Sequence, residues 1–244
     1  MNVLIFAAGL GTRLRPLTDT RPKALVEVCG KPLLWHVIQK VISAGTTEIV
    51  VNVHHFGEQI IDYLAHHDFG VPIRVSDERE KLLDTGGGLR QALSLFSNDA
   101  PVLIHNVDIL SSGIDLADFY RRYADADAAL AVSWRETQRY LLFSDEGRLE
   151  GWTNIATGDV RSPYSGFSPK GKHQYAFSGI HLVSPRLKDL LQNYPEAFPI
   201  MDFYLNECHR LRIMGHVCRN LQLLDVGKRG SVEAAEEFLH RTSL

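Results

Sequence analysis

Short apolar runs and amphipathic stretches alternate along the first half of the chain. Val3-Leu4-Ile5-Phe6 and Ile49-Val50-Val51-Asn52-Val53 are almost wholly apolar, the mark of strands buried on both faces. Between them Leu34, Val37, Ile38, Val41 and Ile42 recur at helical spacing, which predicts a helix over residues 33–44. Gly45 stops it, because glycine takes the left-handed cap conformation at little cost. The same reading predicts a helix over 58–65 with Ile60, Ile61 and Leu64 inward, strands at 73–75 and 102–104, and a helix starting near Gly88. Such alternation predicts an α/β fold with a doubly wound, mostly parallel central sheet. Ligands on such sheets bind beyond the carboxyl ends of the strands. That rule places the loop after Phe6, the segment 76–88 and Asn106-Val107-Asp108 on one rim.

From about Ala128 the pattern turns β-rich, with strands predicted at 130–132, 140–143, 149–152 and 176–183. Residues 157–174, rich in Gly, Ser, Pro and Lys, read as an exposed, mobile loop. Helices near 185–194, 201–211 and 231–240 complete the chain. With no internal repeat and no linker, 1–244 reads as one domain, 1–127 forming its first half and 128–244 an inserted, β-rich half.

Composition narrows the function classes. At 244 residues, 45% hydrophobic and 23% charged, the chain is of ordinary globular make-up. Its net charge of −3 argues against a nucleic-acid partner, which needs a basic face. No apolar run approaches the roughly 20 residues of a membrane span, so no membrane partner is expected. The three cysteines, Cys29, Cys208 and Cys218, lack metal-ligand spacing and point to a reducing, cytoplasmic setting. Cys29 reads as a buried structural thiol.

The turn Ala8-Gly9-Leu10-Gly11-Thr12-Arg13 carries the first candidate chemistry. A dinucleotide fingerprint needs glycine where Leu14 stands, and a Walker loop needs Gly-Lys-Ser/Thr where Thr12-Arg13-Leu14 stands. Glycines directly after a buried strand let backbone N–H groups cradle an anion. Arg13, Arg15 and Lys23 follow, a set suited to a polyphosphate. On spacing alone, an ordinary strand-to-helix turn with surface cations stands beside that reading.

Longer motifs separate the two. The run from Ala7 to Thr18, then Arg21-Pro22-Lys23-Ala24-Leu25 and Gly30-Lys31-Pro32-Leu33, resembles the amino-terminal signature of the sugar-1-phosphate nucleotidyltransferases. Within that family the likeness is to short bacterial enzymes related to the N-acetylmuramate-1-phosphate uridylyltransferases and mannose-1-phosphate guanylyltransferases. Ala24 replaces the family's second proline in Pro-Lys-Pro. Asp84-Thr85-Gly86-Gly87-Gly88 is similar to the base-contacting loop, Asn106-Val107-Asp108 to the metal-binding strand end, Phe177-Ser178-Gly179-Ile180 to the sugar-side strand, and Leu224-Asp225-Val226-Gly227 to the second metal aspartate. Gly227-Lys228-Arg229-Gly230 departs from the usual Gly-Thr-Pro-Glu, and Gly151-Trp152-Thr153-Asn154 stands where many relatives have Glu-Lys-Pro.

The resemblance implies a Rossmann-like fold and transfer of NMP from an NTP to a sugar 1-phosphate, with UTP or GTP favoured. It implies Arg13, Lys23 and Asp108 as catalytic groups. Ala7, Ala8, Gly9, Gly11, Thr12, Arg13, Lys23, Asp84, Thr85, Gly86, Gly87 and Asn106 would hold the nucleotide. Asn154, Ser178 and Gly179 would hold the sugar phosphate, and Asp108 and Asp225 a Mg²⁺ ion. A homo-oligomer fits the family, and the chain has no room for the carboxy-terminal β-helix of longer relatives. A phosphocholine cytidylyltransferase-like activity and a non-catalytic nucleotide-sugar sensor are the rival readings.

Other tempting groups have plainer explanations. His54-His55 and His66-His67 are adjacent pairs, which point apart on a strand or helix and chelate poorly, so surface or capping roles are expected. Ser165, Ser168 and Ser178 lack a G-x-S-x-G elbow. Met201, Phe203 and Tyr204 read as a packed helix face, from which Asp202 is a weaker candidate for the sugar pocket.

Overall fold

The computed structural model describes residues 1–228 and 230–242. The first half runs β1 (Asn2–Phe6), the short strands β2 (Glu27–Val28) and β3 (Lys31–Pro32), α1 (Leu33–Ser43), β4 (Glu48–Val53), α2 (Gly57–Ala65), β5 (Ile73–Asp77), α3 (Asp84–Ala92) and β6 (Val102–Asn106). β7 (Ile109–Ser112) and α4 (Leu116–Arg122) lead out of it. The second half follows as β8 (Ala128–Ser133), β9 (Arg139–Phe143), β10 (Leu149–Asn154), β11 (Asp159–Arg161) and β12 (His173–Val183). Then come α5 (Lys188–Leu191), α6 (Ile200–Glu207), β13 (Ile213–Val217), β14 (Gln222–Asp225) and α7 (Ser231–Thr242).

In the central sheet β5, β4, β1 and β6 are parallel neighbours, and β8 and β13 are parallel to each other. β12 runs antiparallel between β6 and β8, so it is the one reversed strand of a mostly parallel sheet. The apolar alternation of β1 explains the layering: Leu4 and Phe6 face one core with Leu89, Phe203 and Tyr204, while Val3 and Ile5 face the other with Leu34, Val37, Ile60 and Phe119. Helices cover both faces, as the doubly wound pattern predicts. β12 also joins the halves, since its first residues pair with β9 of a smaller antiparallel sheet, β9-β10-β11.

Several expectations shift. The helix placed near Gly88 begins at Asp84, so the expected glycine loop is helical. Residues 157–174 are not a bare loop: β11 pairs with β10, Ser162 Oγ donates to Glu150 O at 2.6 Å, and Lys172 pairs with Glu150 at 2.5 Å. The segment folds back on β10 because both of its ends find partners there. The helix expected at 185–194 is a 3-10 turn followed by α5. Cys29 is exposed, at the first position of the β2–β3 turn with φ +50°, followed by Gly30 at φ +71°. Two consecutive left-handed residues are what a two-residue hairpin turn requires, and they push the thiol outward.

Candidate active site

The carboxyl ends of β1, β4, β5 and β6 open onto a cavity of about 440 Å³. Its floor is the turn from Phe6 to Arg13, and its walls include Lys23, Asn52, Glu78, Asp84, Thr85, Asn106, Asp108 and Gly227. The turn is held from within. Ala7 and Ala8 donate their amides to Asn52 Oδ1 at 2.7 and 3.3 Å. Thr18 Oγ1 donates to Gly11 O at 2.8 Å. Gly11 has φ +64°, and a Cβ there would press on Thr18 at 3.0 Å and Lys23 at 3.2 Å, so the position demands glycine on two counts.

Lys23 is 8% exposed and its ammonium forms an ion pair with the half-buried Asp108. Asp108 stands two residues past the end of β6, as its place after an apolar strand implied. β14 runs back along β7, and Val226 N donates to Asp108 O at 2.8 Å, which draws the end of β14 to Asp108. A side chain at Gly227 would meet Asp225 Oδ1 at 2.5 Å and Arg13 Nη2 at 3.0 Å. Arg13, Lys23 and Asp108, from separate segments, thus line one end of the cavity, and Asp225, outside the lining itself, stands beside Gly227 there. Arg229, in the stretch that departs from the family pattern, lies outside the described residues.

At the opposite end the structure redistributes the expected roles. Asp84 and Thr85 line the cavity. Asp84 adopts φ +56°, and its Oδ1 accepts from Thr85 N at 2.6 Å. Thr85 Oγ1 accepts from Ile200 N at 2.9 Å, tying the cavity wall to α6. Gly86 and Gly87 face protein instead of the cavity. A Cβ at Gly86 would lie 2.2 Å from the Phe198 ring, and one at Gly87 would lie 2.2 Å from Glu196 O. The Gly86 amide already donates to Phe198 O at 2.8 Å. These glycines let α3 dock closely, a packing requirement that reads in sequence like a flexible loop.

The expected sugar-phosphate residues are more dispersed. Gly179, at φ +78° where β12 changes register, lies against Asn106: a Cβ there would be 3.0 Å from Asn106 Nδ2. Ser178 is buried, and its hydroxyl donates to Ala131 O at 2.7 Å and accepts from Ile180 N at 3.2 Å. Asn154, at the end of β10, accepts from Ala156 N at 3.0 Å. Neither Asn154, Ser178 nor Gly179 lines the cavity. Asp202 pairs with Arg161 at 2.8 Å, across from β10.

Two polar cavity residues escaped the sequence reading. Asn52 is the one polar side chain in the apolar run Ile49–Val53, and its place near the carboxyl end of that strand was the available signal. Glu78 is buried just past β5; Oε1 accepts from Asn52 Nδ2 at 2.8 Å and Oε2 from Leu83 N at 3.2 Å. Burial pushes the Glu78 carboxyl up from its ordinary value, while these two donors pull it back. His66 and His67 serve as expected, bonding the carbonyls of Asp62 and Tyr63 at the end of α2, whereas His54 is partly buried and its Nδ1 lies 2.6 Å from Glu78 O.

A family model described as nucleotidyl transferase matches residues 2–140. The chain is 34% identical over 191 residues to an N-acetylmuramate alpha-1-phosphate uridylyltransferase of Caulobacter vibrioides, covering 75% of each chain. It is 30% identical over 211 residues to a mannose-1-phosphate guanyltransferase of Eremothecium gossypii, covering 82% of this chain and 56% of that protein. The fold matches a UDP-glucose pyrophosphorylase solved with UDP-glucose at a TM-score of 0.77, with 16% identity and 98% of each chain covered. No helix among the described residues is long and apolar enough to cross a membrane.

Proposed function

Because the chain belongs to the nucleotidyl transferase family, we propose that it transfers a nucleoside monophosphate from an NTP to a sugar 1-phosphate and releases pyrophosphate. The observation that carries this reading is the meeting of Arg13, Lys23, Asp108 and Asp225 beside the glycine turn. The relatives favour UTP or GTP as donor, and an acceptor like N-acetylmuramate 1-phosphate or mannose 1-phosphate. Buried, unpaired Cys208 and Cys218 suit a reducing cytoplasm.

An acceptor phosphate oxygen attacks the α-phosphorus. The new P–O bond forms as the bond to the β-phosphate's bridging oxygen breaks, and pyrophosphate leaves with that electron pair. The attacking oxygen is already ionised at neutral pH, so no general base is required. The obstacle is repulsion between anions, which the protein must offset with fixed charge and alignment. The Ala7 and Ala8 amides, taken up by Asn52, fix the turn. Among the described residues the Gly9, Gly11 and Thr12 amides are left to cradle the triphosphate. The Arg13 fork suits the departing pyrophosphate, and Lys23, oriented by Asp108, faces the α-phosphate and the incoming acceptor. Asn106, with Gly179 against it, closes the acceptor side.

Asp108 and Asp225 would supply hard carboxylate oxygens of the kind that suit Mg²⁺, an ion commonly held by one or two carboxylates. The missing side chain at Gly227 leaves the Asp225 carboxylate open. When bound, the ion supplies charge neutralisation at the phosphates.

Pyrophosphate release, measured with magnesium over a grid of five NTPs against sugar 1-phosphates, tests the reading. Release with a preferred pair is expected. NTP binding without release for any acceptor would overturn the activity in favour of a sensor.

A further inference from the structure

Both carboxylates of the reading above belong to one small piece of structure. Asp108 lies in the two-residue link between β6 and β7, and Asp225 is the last residue of β14. β7 and β14 pair with each other as a two-stranded ribbon outside the central sheet. Such a ribbon is marginal by itself and takes its place from what it is fastened to.

One fastening is apolar. Leu110 and Val226 pack with Leu33, Phe238 and Leu239 in a core of their own, and apolar contact is non-directional. The other fastening is polar. Val226 N donates to Asp108 O, and bonded pairs alternate along an antiparallel ladder. Leu110 with Leu224 and Ser112 with Gln222 are then the next bonded pairs, so the Ser111 carbonyl points away from β14. No strand lies along that edge. Ser111 is 1% exposed, and its Oγ has no hydrogen-bond partner among the described residues. A buried carbonyl left without a donor is costly. Lys40 supplies the donor: its ammonium donates to Ser111 O at 2.7 Å.

Lys40 projects from α1, which is packed on the central sheet through Leu34, Val37, Ile38 and Val41. Burial draws the Lys40 ammonium down from its ordinary value, and among the described residues no carboxylate pairs with it. Its bond to Ser111 is thus a directional tie between the fixed layer and the ribbon. Ser111 stands three residues from Asp108, about 10 Å along the strand. It lies opposite Leu223, two residues before Asp225. Asp108 is anchored through β6 as well, so Asp225 depends more on the tie.

Resting on the metal reading of Asp108 and Asp225, we infer that Lys40 is a positioning residue for that pair. By holding the open edge of β7 against α1, it sets where the ribbon presents its carboxylates relative to the phosphate-binding turn. Lys40 does not line the nucleotide cavity, so it acts through β7. Mg²⁺ demands near-ideal octahedral geometry, so a ribbon that drifts from the turn loses metal before it loses phosphate.

The test is calorimetric binding of UTP and GTP to the full chain without acceptor, in Mg²⁺ and in EDTA. The ratio of the two dissociation constants measures the gain in affinity due to the metal. Lys40→Met removes the donor at similar length and is expected to cut that gain at least about fivefold, as loss of an orienting partner does. Its dissociation constant in EDTA should stay within twofold of the parent's. Lys40→Arg keeps a cationic donor and should restore the gain to within twofold. Hydrogen exchange in Lys40→Met should quicken at 109–112 and 222–226 and stay unchanged in β1 and β4. Should Lys40→Met not fold, Lys40→Gln takes its place under the same criteria. A smaller loss of the gain, with Asp225→Asn abolishing it, overturns the inference and leaves the metal reading standing. Equal weakening in Mg²⁺ and EDTA, or faster exchange throughout the sheet, overturns it as well, because that is what a purely structural lysine would do. No gain from Mg²⁺ in the parent protein overturns both the metal reading and the inference.

Discussion

The rim beside the glycine turn and the exposed edge of the β9-β10-β11 sheet handle polar side chains in opposite ways. Beside the glycine turn, Asn52, Glu78, Thr18 and Lys23 are buried and each is bonded to a partner from another segment. On the β9-β10-β11 side, the Arg161–Asp202 pair stands in solvent, and Asn154 bonds only its own turn. Buried polar groups must be satisfied, so their partners lock one geometry. Exposed ones exchange with water at little cost and leave the surface free to vary. A phosphate-gripping end common to many substrates and a sugar end that differs among them would be built in this way.

Breaking the charged end should have the largest effect. Asp108→Asn keeps the size of the side chain but removes its charge, and kcat is expected to fall about 10²–10³-fold, as for loss of one preorganised electrostatic group. Steady-state pyrophosphate release checks this, with circular dichroism to confirm the fold; a kcat within tenfold of the parent would remove Asp108 from the catalytic role.

The buried and exposed asparagines give a matched pair. Asn52→Ala strands two amides and one Glu78 oxygen, a loss of about 2–3 kcal/mol by the usual penalty for unsatisfied buried groups. Asn154→Ala gives up one exposed turn bond, under about 1 kcal/mol. Urea unfolding of both variants measures the contrast, and equal destabilisation would erase it.

The seam between the halves should respond to acid. His105 on β6 and His181 on β12 are fully buried, and desolvation holds them down to about 4 and about 3. His181 Nδ1 lies 2.6 Å from the Tyr204 hydroxyl. In the unfolded chain both titrate near 6.5. Above pH 6.5 they are neutral in either state. Below it the unfolded chain takes up protons that the native sheet refuses, so stability falls progressively from pH 6.5 toward pH 4. His105→Leu should flatten part of that slope, measured as urea midpoints at pH 7.5 and 5.

The smallest change is expected at the exposed pair. Arg161→Ala should alter stability by less than about 1 kcal/mol, as exposed ion pairs do. Its signature is a severalfold shift in KM for the sugar phosphate with NTP affinity unchanged; a change in NTP affinity alone would move Arg161 out of the acceptor side.

Much of the first half was legible. The apolar runs at β1 and β4 and the helical spacing of α1 mark their elements closely, because such segments are buried on a regular face. The rim rule put the loop after Phe6 and Asp108 on one edge, and the place of Lys23 rested on the family resemblance. The short strands β7, β13 and β14 and the helix α4 went unread. β7, β13 and β14 carry neither a continuous apolar run nor a clean alternation, and β14 finds its strand partner in β7.

The local order of the chain, through its hydrophobic periods and the run from Ala7 to Thr18, determined the α/β class, the rim of the site and the family likeness. Tertiary packing decided what neighbouring glycines and lone polar residues mean. Gly86 and Gly87 became contact surfaces for Phe198 and Glu196, and Asn52 became the link between Ala7 and Glu78. Those partners lie far along the chain, and only the folded sheet brings them within hydrogen-bond or van der Waals reach.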